Sequence, residues 1–446
     1  MKRTVIFPIC FLAALFLTLT VSAAEINRVT LNGDAVTVNL TAESSCALFV
    51  ALYDADGRLL NVQTRNVAAM NAADVAVKIP GGIPSGSAAK ASLMSADNRP
   101  VCAAVSSDAS GGNTPTPTPT PTPANDSDVY AILYADGTLV FQHGDTPESG
   151  RQVRETFAVD VTKNYSNSDI PWRKARAFIY QVDFADKIQP TSTAWWFYRC
   201  SKLREVKNIK NLDTSHVTDM GGMFCGCGTL TTLDVSNFNT ASVTDMRSMF
   251  ADCGALTTLD VSGFDTANVT DMGSMFDDCG ALRALDVSGF DTANVTNMGF
   301  MFSECGALTT LDVSKFNTTK TTYMFAMFRG CRALTTLDVS GFNTSNVTNM
   351  GDMFRYCGAL TVLDLSRFNT ANVTDMSVMF QLCYGLTTIY ASSQFITSQV
   401  TESSSMFSDC DFLIGGNGTT YDREHRDIEY ARIDGGPSAP GYFTAK

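Results

Sequence analysis

The sequence predicts an α/β fold: a curved solenoid of strand–turn–helix coils, with a separate all-β sandwich domain before it. Cysteine recurs every 26 residues from Cys227 to Cys383, and the residues around each cysteine are nearly the same in every unit. Residues 25–108 instead alternate apolar and polar side chains, and a Thr-Pro run follows them. Repeats of one fixed period indicate stacked coils, each of which buries its apolar face against its neighbours.

Residues 1–24 are typical of a signal peptide. Lys2 and Arg3 precede an apolar run, and the segment VSAA at 21–24 provides small residues for cleavage. An uncleaved anchor is the alternative, because about 18 apolar residues can span a bilayer. We therefore predict an extracellular or cell-surface protein that has no membrane insertion after the signal is cleaved.

Residues 25–108 predict an immunoglobulin-like β-sandwich module. Six or seven short runs alternate at period two, and turn signals such as Asn32-Gly33 separate them. Cys46 and Cys102 lie near the first central run and in the last one, where export would allow a disulfide. Two buried thiols are the alternative.

The remaining boundaries follow from composition. Residues 109–126 are predicted to be a linker, because alternating Thr and Pro favour the extended polyproline form. After the linker we predict an N-terminal cap at 127–200, leucine-rich 26-residue repeats at 201–410 and a C-terminal cap at 411–446.

Two hydrophobic periods follow one another within each coil. In the coil at 256–281, alternation around Leu259 predicts a short strand, and Asp265 just after it suits a position where a side chain satisfies turn backbone. A helix is predicted next, with Thr270 as N-cap and Gly280 at its end. Its apolar residues recur at i, i+3, i+4 and i+7: Met272, Met275, Phe276 and Cys279.

Stacking such coils predicts curvature and free cysteines. Strands stack about 4.8 Å apart, whereas packed helices need about 8–10 Å, so the strands are expected on the concave side. Helices at that separation also exceed the reach of a disulfide, about 4.4–6.8 Å between Cα atoms. The cysteine column is therefore predicted to consist of buried thiols that pack as small hydrophobes.

The repeat resembles that of a known family. LDVSxFDTxxVTDMxxMFxxCxxL is similar to the repeat of BspA-like leucine-rich-repeat surface proteins of bacteria, which is also grouped with mycoplasma surface proteins of unknown function. Residues 188–200 and 415–443 resemble the first and terminal coils of that family. The resemblance covers roughly residues 127–446 and implies export, surface display and adhesion or host-protein binding. The family's repeat has no catalytic motif.

The exposed middle position of the predicted strands is acidic in six successive coils. We predict ligand binding on the concave face by this column: Asp234, Asp260, Asp286, Asp312, Asp338 and Asp364, ending at Tyr390. A solvated stripe in which Ser and Thr hydroxyls donate to the carboxylates is one interpretation. A track for a basic partner and a track for divalent cations are the others.

Other positions differ among otherwise similar coils. They are either neutral changes on an exposed face or a patch of the residue types that anchor protein interfaces: Arg247, Phe300, Phe325, Arg329, Arg332, Arg355, Tyr356, Arg367 and Gln381. Trp195 and Trp196 suggest a sugar platform, but their alignment with MxxMFxxC favours a role in capping the core of the first coil.

Composition narrows the function. The formal charge is −13, which argues against nucleic acid, and the three histidines lie far apart in sequence. We predict no catalytic residue, no metal site and no cofactor. The predicted function is recognition or adhesion, in which the solenoid binds an extracellular protein or glycan. A structural spacer or self-associating surface component is the alternative.

Overall fold

The structure is a computed structural model. It describes residues 128–446 throughout and, between residues 24 and 108, the backbone of seven strands. The chain divides into two compact units, residues 1–120 and 121–446. The predicted signal peptide up to residue 23, the Thr-Pro run and Cys102 lie outside the described residues, and so does the disulfide predicted for Cys46.

The first unit contains two antiparallel sheets. Strand order is β1-β2-β5 in one sheet and β4-β3-β6-β7 in the other. The strands are β1 (Ala24–Asn32), β2 (Ala35–Ala42), β3 (Cys46–Tyr53), β4 (Leu59–Val67), β5 (Met70–Lys78), β6 (Ala88–Met94) and β7 (Val105–Asp108).

The second unit begins with a five-stranded sheet of order β10-β8-β9-β11-β12. β8, β9 and β10 pair antiparallel, and β11 pairs parallel to both β9 and β12. These strands are β8 (Val129–Tyr134), β9 (Thr138–His143), β10 (Val153–Val159), β11 (Gln181–Phe184) and β12 (Glu205–Lys207). Tight packing of Phe141 on Trp196, with ring centroids 5.4 Å apart, joins this sheet to the repeat core.

No α-helix occurs among residues 128–446, so the predicted strand–turn–helix coil and the α/β class are wrong. Nor does the described part of the chain contain a helix suited to crossing a membrane. From residue 129 onward, the helical elements are short 3₁₀ turns at Arg176–Phe178, Ile209–Asn211 and Ile428–Tyr430. The further strands are β13 (Thr232–Leu233), β14 (Thr258–Leu259), β15 (Val362–Asp364), β16 (Thr388–Ala391) and β17 (Phe443–Ala445).

Successive β-turns take the place of the predicted helix. At residues 272–279, the N–H of Met275 donates to the carbonyl of Met272 at 3.2 Å, which is an i→i−3 bond and not the i→i−4 bond of an α-helix. Ser274 and Asp278 have positive φ, 56° and 55°, which no α-helix contains. We call residues 271–279 and their equivalents in other coils the turn segments.

Alternate N–H groups of a turn segment bond to the next coil. The N–H of Phe276 donates to the carbonyl of Met301 at 3.0 Å, and that of Asp278 donates to Ser303 at 2.8 Å. Eight consecutive parallel bridges run along the same side of the coils. They join Ser192, Asp219, Asp245, Asp271, Asn297, Tyr323, Asn349, Asp375 and Glu402.

The ladder of backbone hydrogen bonds between neighbouring turn segments explains why the helix is absent. Coils bonded through their backbones lie at strand spacing, about 4.8 Å, and a packed α-helix needs about 8–10 Å. The spacing mismatch on which the predicted curvature rested therefore does not exist. Thr270 does not cap a helix; its hydroxyl donates to the carbonyl of Thr244 at 3.1 Å.

The core is a stack of phenylalanine rings, one from each coil. Neighbouring ring centroids lie 5.3–6.1 Å apart, and successive ring planes are between 3° and 29° from parallel. The stack comprises Phe197, Phe224, Phe250, Phe276, Phe302, Phe328, Phe354, Phe380 and Phe407. The apolar periodicity of the turn segments is therefore confirmed as a burial pattern, although the backbone that produces it is not helical.

The cysteine column lies beside the ring stack. All ten described cysteines are free and buried, which confirms the predicted thiols, although the argument from helix separation does not apply. Each thiol of the column also donates to the preceding coil; Cys279 Sγ, for example, lies 3.1 Å from Phe250 O. Burial raises the pKa of the Cys253 thiol to about 12.

Native protein treated with iodoacetamide at pH 8 is expected to keep these ten cysteines unmodified, because a buried thiol with a raised pKa supplies no accessible thiolate. Denatured, unreduced protein should be alkylated at all ten. Peptide mass mapping measures both. Alkylation of Cys279 in the native state, or protection of any of the ten after denaturation, would contradict the assignment.

A buried threonine between the strand and the turn segment also links each coil to the next. Thr266 is buried, and its hydroxyl donates to the carbonyl of Asp291 in the next coil at 3.0 Å. Asp265, beside it, accepts the N–H of Ala267 at 3.1 Å, which confirms the predicted role of the Asp/Asn position in the turn. Each coil is therefore bonded to the next at several points around its circumference.

Candidate binding surfaces

The six predicted aspartates form one continuous column. β13 pairs in register with β14, and Asp364 pairs with Tyr390 between β15 and β16. We call this exposed column and the threonines beside it the strand face. A groove of about 820 Å³ opens along it and is lined by Asp286, Asp312, Asp338 and Asp364. Among the described residues, no strand pairing joins the coils between β14 and β15, where most of the groove lies.

Each carboxylate of the column stabilises its own turn. The N–H and hydroxyl of Ser288 donate to Asp286 Oδ1 at 3.0 and 2.7 Å. The hydroxyl bond, followed by the N–H bond, lowers the pKa of Asp286, and the same arrangement lowers that of Asp312. Within the described residues, Oδ2 of Asp286 and of Asp312 makes no hydrogen bond, so one oxygen of each remains for solvent or a ligand.

One cation already binds this column. The ammonium of Lys446 forms an ion pair with Asp364 Oδ2 and lies 5.1 Å from the centre of the Tyr390 ring. Burial alone would raise the pKa of Asp364, but hydrogen bonds from Lys446 and Ser366 outweigh it and lower the pKa. The hydrogen bond to Asp364 raises the pKa of Lys446. The strand face therefore accommodates a lysine side chain at its C-terminal end.

The exposed side chains of the turn segments form a second surface, the turn face. It contains most of the positions that differ between coils, including an ion-pair network in which Glu304 lies 2.7 Å from Arg332 and Asp352 lies 3.0 Å from Arg355. Burial is the main cause that raises the pKa of Asp245 and of Asp277 to about 6.

Three aromatic side chains lie together on the turn face. Phe300 and Phe325 have ring centroids 5.2 Å apart, and those of Tyr323 and Phe325 are 6.2 Å apart. The differences between coils single out Phe300 and Phe325 but miss Tyr323. The sequence nevertheless distinguishes Tyr323, because it occupies a position that is Asp, Asn, Glu or Ser in all other coils of the bridge column.

The structure also places the two tryptophans and Cys225. Trp196 is 1% exposed and belongs to the core, as its alignment predicts, and its backbone carbonyl accepts the indole N–H of Trp172 at 2.6 Å. Trp195 is half-buried and lies over Gly222. Cys225 is buried in a turn segment at the position that Ala251 occupies in the next coil, and so it does not belong to the cysteine column.

Residues 128–446 contain no group of three or more His, Cys, Asp or Glu side chains arranged to bind a metal ion. His143 is bonded to the Lys187 carbonyl at 3.1 Å, and His216 to the neighbouring Ser215 hydroxyl at 3.1 Å. His425 stacks on Tyr430. The Asp column itself lies open to solvent on the strand face.

Comparison with known proteins finds similarity in the repeat region. The family model described as "Mycoplasma protein of unknown function, DUF285" matches residues 191–311, 259–357 and 308–416. No curated protein matches. Among solved structures, a leucine-rich repeat protein from Eubacterium ventriosum ATCC 27560 is 15% identical, with 67% of this chain and 90% of that chain covered. The TM-score is 0.26, so the fold is described from this chain alone.

Proposed function

We propose that the chain, which belongs to the repeat family of mycoplasma proteins of unknown function DUF285, is an exported, non-catalytic recognition or adhesion protein. Its partner is an extracellular protein, bound through lysine- or arginine-bearing segments that lie along the strand face. A regular stack with one repeated acidic position suits an extended partner, because each coil offers the same group at a spacing of about 4.8 Å.

The observation that carries this proposal is the contact of Lys446 with Asp364 and Tyr390. The same carboxylate recurs in the groove at Asp286, Asp312 and Asp338, and none of these three forms a salt bridge with a described residue. Charge steers association, and exposed ion pairs weaken in salt. We therefore expect binding of basic segments that depends on ionic strength.

The test uses the full chain and a fluorescent octalysine peptide. Fluorescence anisotropy at low salt should show binding, and D286N/D312N should weaken it by about five- to tenfold, the size expected for losing two exposed ion pairs. Asparagine keeps the oxygen that accepts the Ser288 and Ser314 N–H groups, so the turns should survive.

The matched control is D265N/D291N. It removes the same charge from positions that are asparagine in other coils, such as Asn239, and that lie outside the groove. Equal weakening by both variants would indicate a non-specific effect of net charge and would refute the strand-face site. Absence of octalysine binding by the wild type would refute the partner chemistry.

A structural or self-associating role is the competing function. It requires the molecular mass in solution to rise with protein concentration when no ligand is present. Light scattering measures this mass. A monomer at all concentrations, together with groove-dependent peptide binding, would favour recognition.

A further inference from the structure

A second binding surface lies on the turn face, away from the aspartate column. We propose that Phe300, Tyr323 and Phe325, which we call the aromatic platform, bind a neutral oligosaccharide. This inference goes beyond the proposed function, because it concerns a different face of the coils and a ligand without charge.

The platform is made possible by glycines in the neighbouring coils. The Tyr323 ring lies over Gly299 so closely that a Cβ there would be 2.5 Å from Cε1 of the tyrosine. Phe325 approaches Gly351 in the same manner, at 3.0 Å from the position of a Cβ. The two rings are 21° from parallel, and each lies over the backbone of a neighbouring coil. We call these two rings the floor of the platform. Tyr323 remains 37% exposed.

Polar side chains flank this floor symmetrically along the bridge column. Asn297 precedes Tyr323 by one coil, and its amide donates to Asp271 at 3.0 Å. Asn349 follows Tyr323 by one coil, and its amide donates to Asp375 at 3.0 Å. Both asparagines therefore bond to the aspartate on the side away from Tyr323, and each amide has a second N–H.

This combination suits a sugar. A pyranose ring has an apolar face of C–H groups, which packs on an aromatic ring, and a rim of hydroxyls that both donate and accept. Carboxylate oxygens accept from such hydroxyls, and amide groups donate and accept. From Asp271 to Asp375 the column spans four coil spacings, or about 19 Å at 4.8 Å each, which accommodates several sugar units.

The same features disfavour a charged ligand. Asp271 already accepts the N–H of Gly273 and the amide of Asn297, and Asp375 accepts from Ser377 and Asn349. These donors occupy carboxylate oxygens that a cation would otherwise contact, and the negative charge of both carboxylates repels an anion. The whole platform is three aromatic rings with a polar margin, and a few sugar units are enough to cover it.

The test is calorimetric titration of the full chain with four neutral tetrasaccharides: β-1,4-glucose, α-1,4-glucose, β-1,4-xylose and β-1,4-N-acetylglucosamine. The wild type is expected to bind at least one of them. Y323N/F325G should weaken that binding about tenfold or more, as for loss of a binding hot spot. It introduces the residues that neighbouring coils have at these positions, Asn349 and Gly351, so the coil is expected to fold.

Two controls make the result specific. Phe412 is 65% exposed elsewhere on the chain, and F412A should bind like the wild type. D286N/D312N should also retain sugar binding, whereas Y323N/F325G should retain octalysine binding, so failure of either proposal is distinguishable from failure of the other. Absence of binding to all four sugars, or equal binding by Y323N/F325G, would overturn the platform.

Discussion

Replacement of Phe302 by alanine is expected to lower the free energy of unfolding by about 3–5 kcal/mol, the range for truncating a buried phenylalanine. Phe302 is fully buried, and its ring stacks between those of Phe276 and Phe328, at centroid distances of 5.8 and 5.9 Å. A central coil has neighbours on both sides, so the cavity weakens two coil–coil interfaces at once. Urea denaturation followed by circular dichroism measures the change.

The control for this variant is F412A, because Phe412 is a phenylalanine of the same chain with 65% of its surface exposed. Its truncation should change the free energy of unfolding by less than about 0.5 kcal/mol. If F302A and F412A had equal effects, the ring stack would not be the main stabilising feature of the core.

Replacement of Asp434 by alanine is expected to destabilise the C-terminal cap by about 3 kcal/mol, because three backbone N–H groups lose a charged acceptor and each such hydrogen bond contributes about 1.5–3 kcal/mol. Asp434 is 3% exposed. Its Oδ2 accepts the N–H groups of Asn417 and Thr419 at 2.8 and 3.0 Å, and its Oδ1 accepts that of Gly436 at 2.9 Å. D434N keeps one acceptor oxygen and should show a smaller loss.

The effect of Asp434 depends on pH. Burial would raise its pKa, but the hydrogen bonds from Thr419, Gly436 and Asn417 outweigh burial and lower the pKa to about 2. A carboxyl group with a lowered pKa contributes stability above its unfolded pKa, about 3.9, and loses that contribution as the pH falls towards the folded value. The difference between wild type and D434N should therefore shrink from pH 5 to pH 2.5.

Urea denaturation at several pH values tests both Asp434 variants. Asp411, which is exposed and lies 3.7 Å from Arg423, provides the control D411N. A difference between wild type and D434N that stayed constant down to pH 2.5 would contradict the role assigned to the carboxylate.

The sequence predicts which residues of a coil are buried but not the backbone that buries them. Met272, Phe276 and Cys279 are all buried, as the i, i+4, i+7 spacing requires. Successive β-turns place residues on one face at the same spacing, so the period alone does not distinguish them from a helix. Glycine does not reveal the difference, because the turn-segment positions with positive φ are glycine only at Gly222, Gly226 and Gly330 and are other residues, such as Ser274 and Asp278, in most coils.

The candidate sites are predictable to different degrees. The Asp286 column follows from alternation in a short strand, because neighbouring coils repeat it at equal spacing. The contact of Lys446 with Asp364 joins residues 82 positions apart, and no local pattern indicates it. Tyr323 appears in sequence as a single substitution, and its significance depends on Gly299 in the preceding coil, which leaves room for the ring.

The continuous backbone ladder of the turn segments has a consequence for how such a protein changes in evolution. In this ladder every internal coil presents the same bonding groups to the coil before it and to the coil after it, while β17 pairs with β16 at the C-terminal end of the stack. Gain or loss of one whole coil therefore joins matching bonding groups and leaves both caps in place. Each such event changes the reach of the protein by about 4.8 Å, so its length is a heritable quantity that varies in fixed steps.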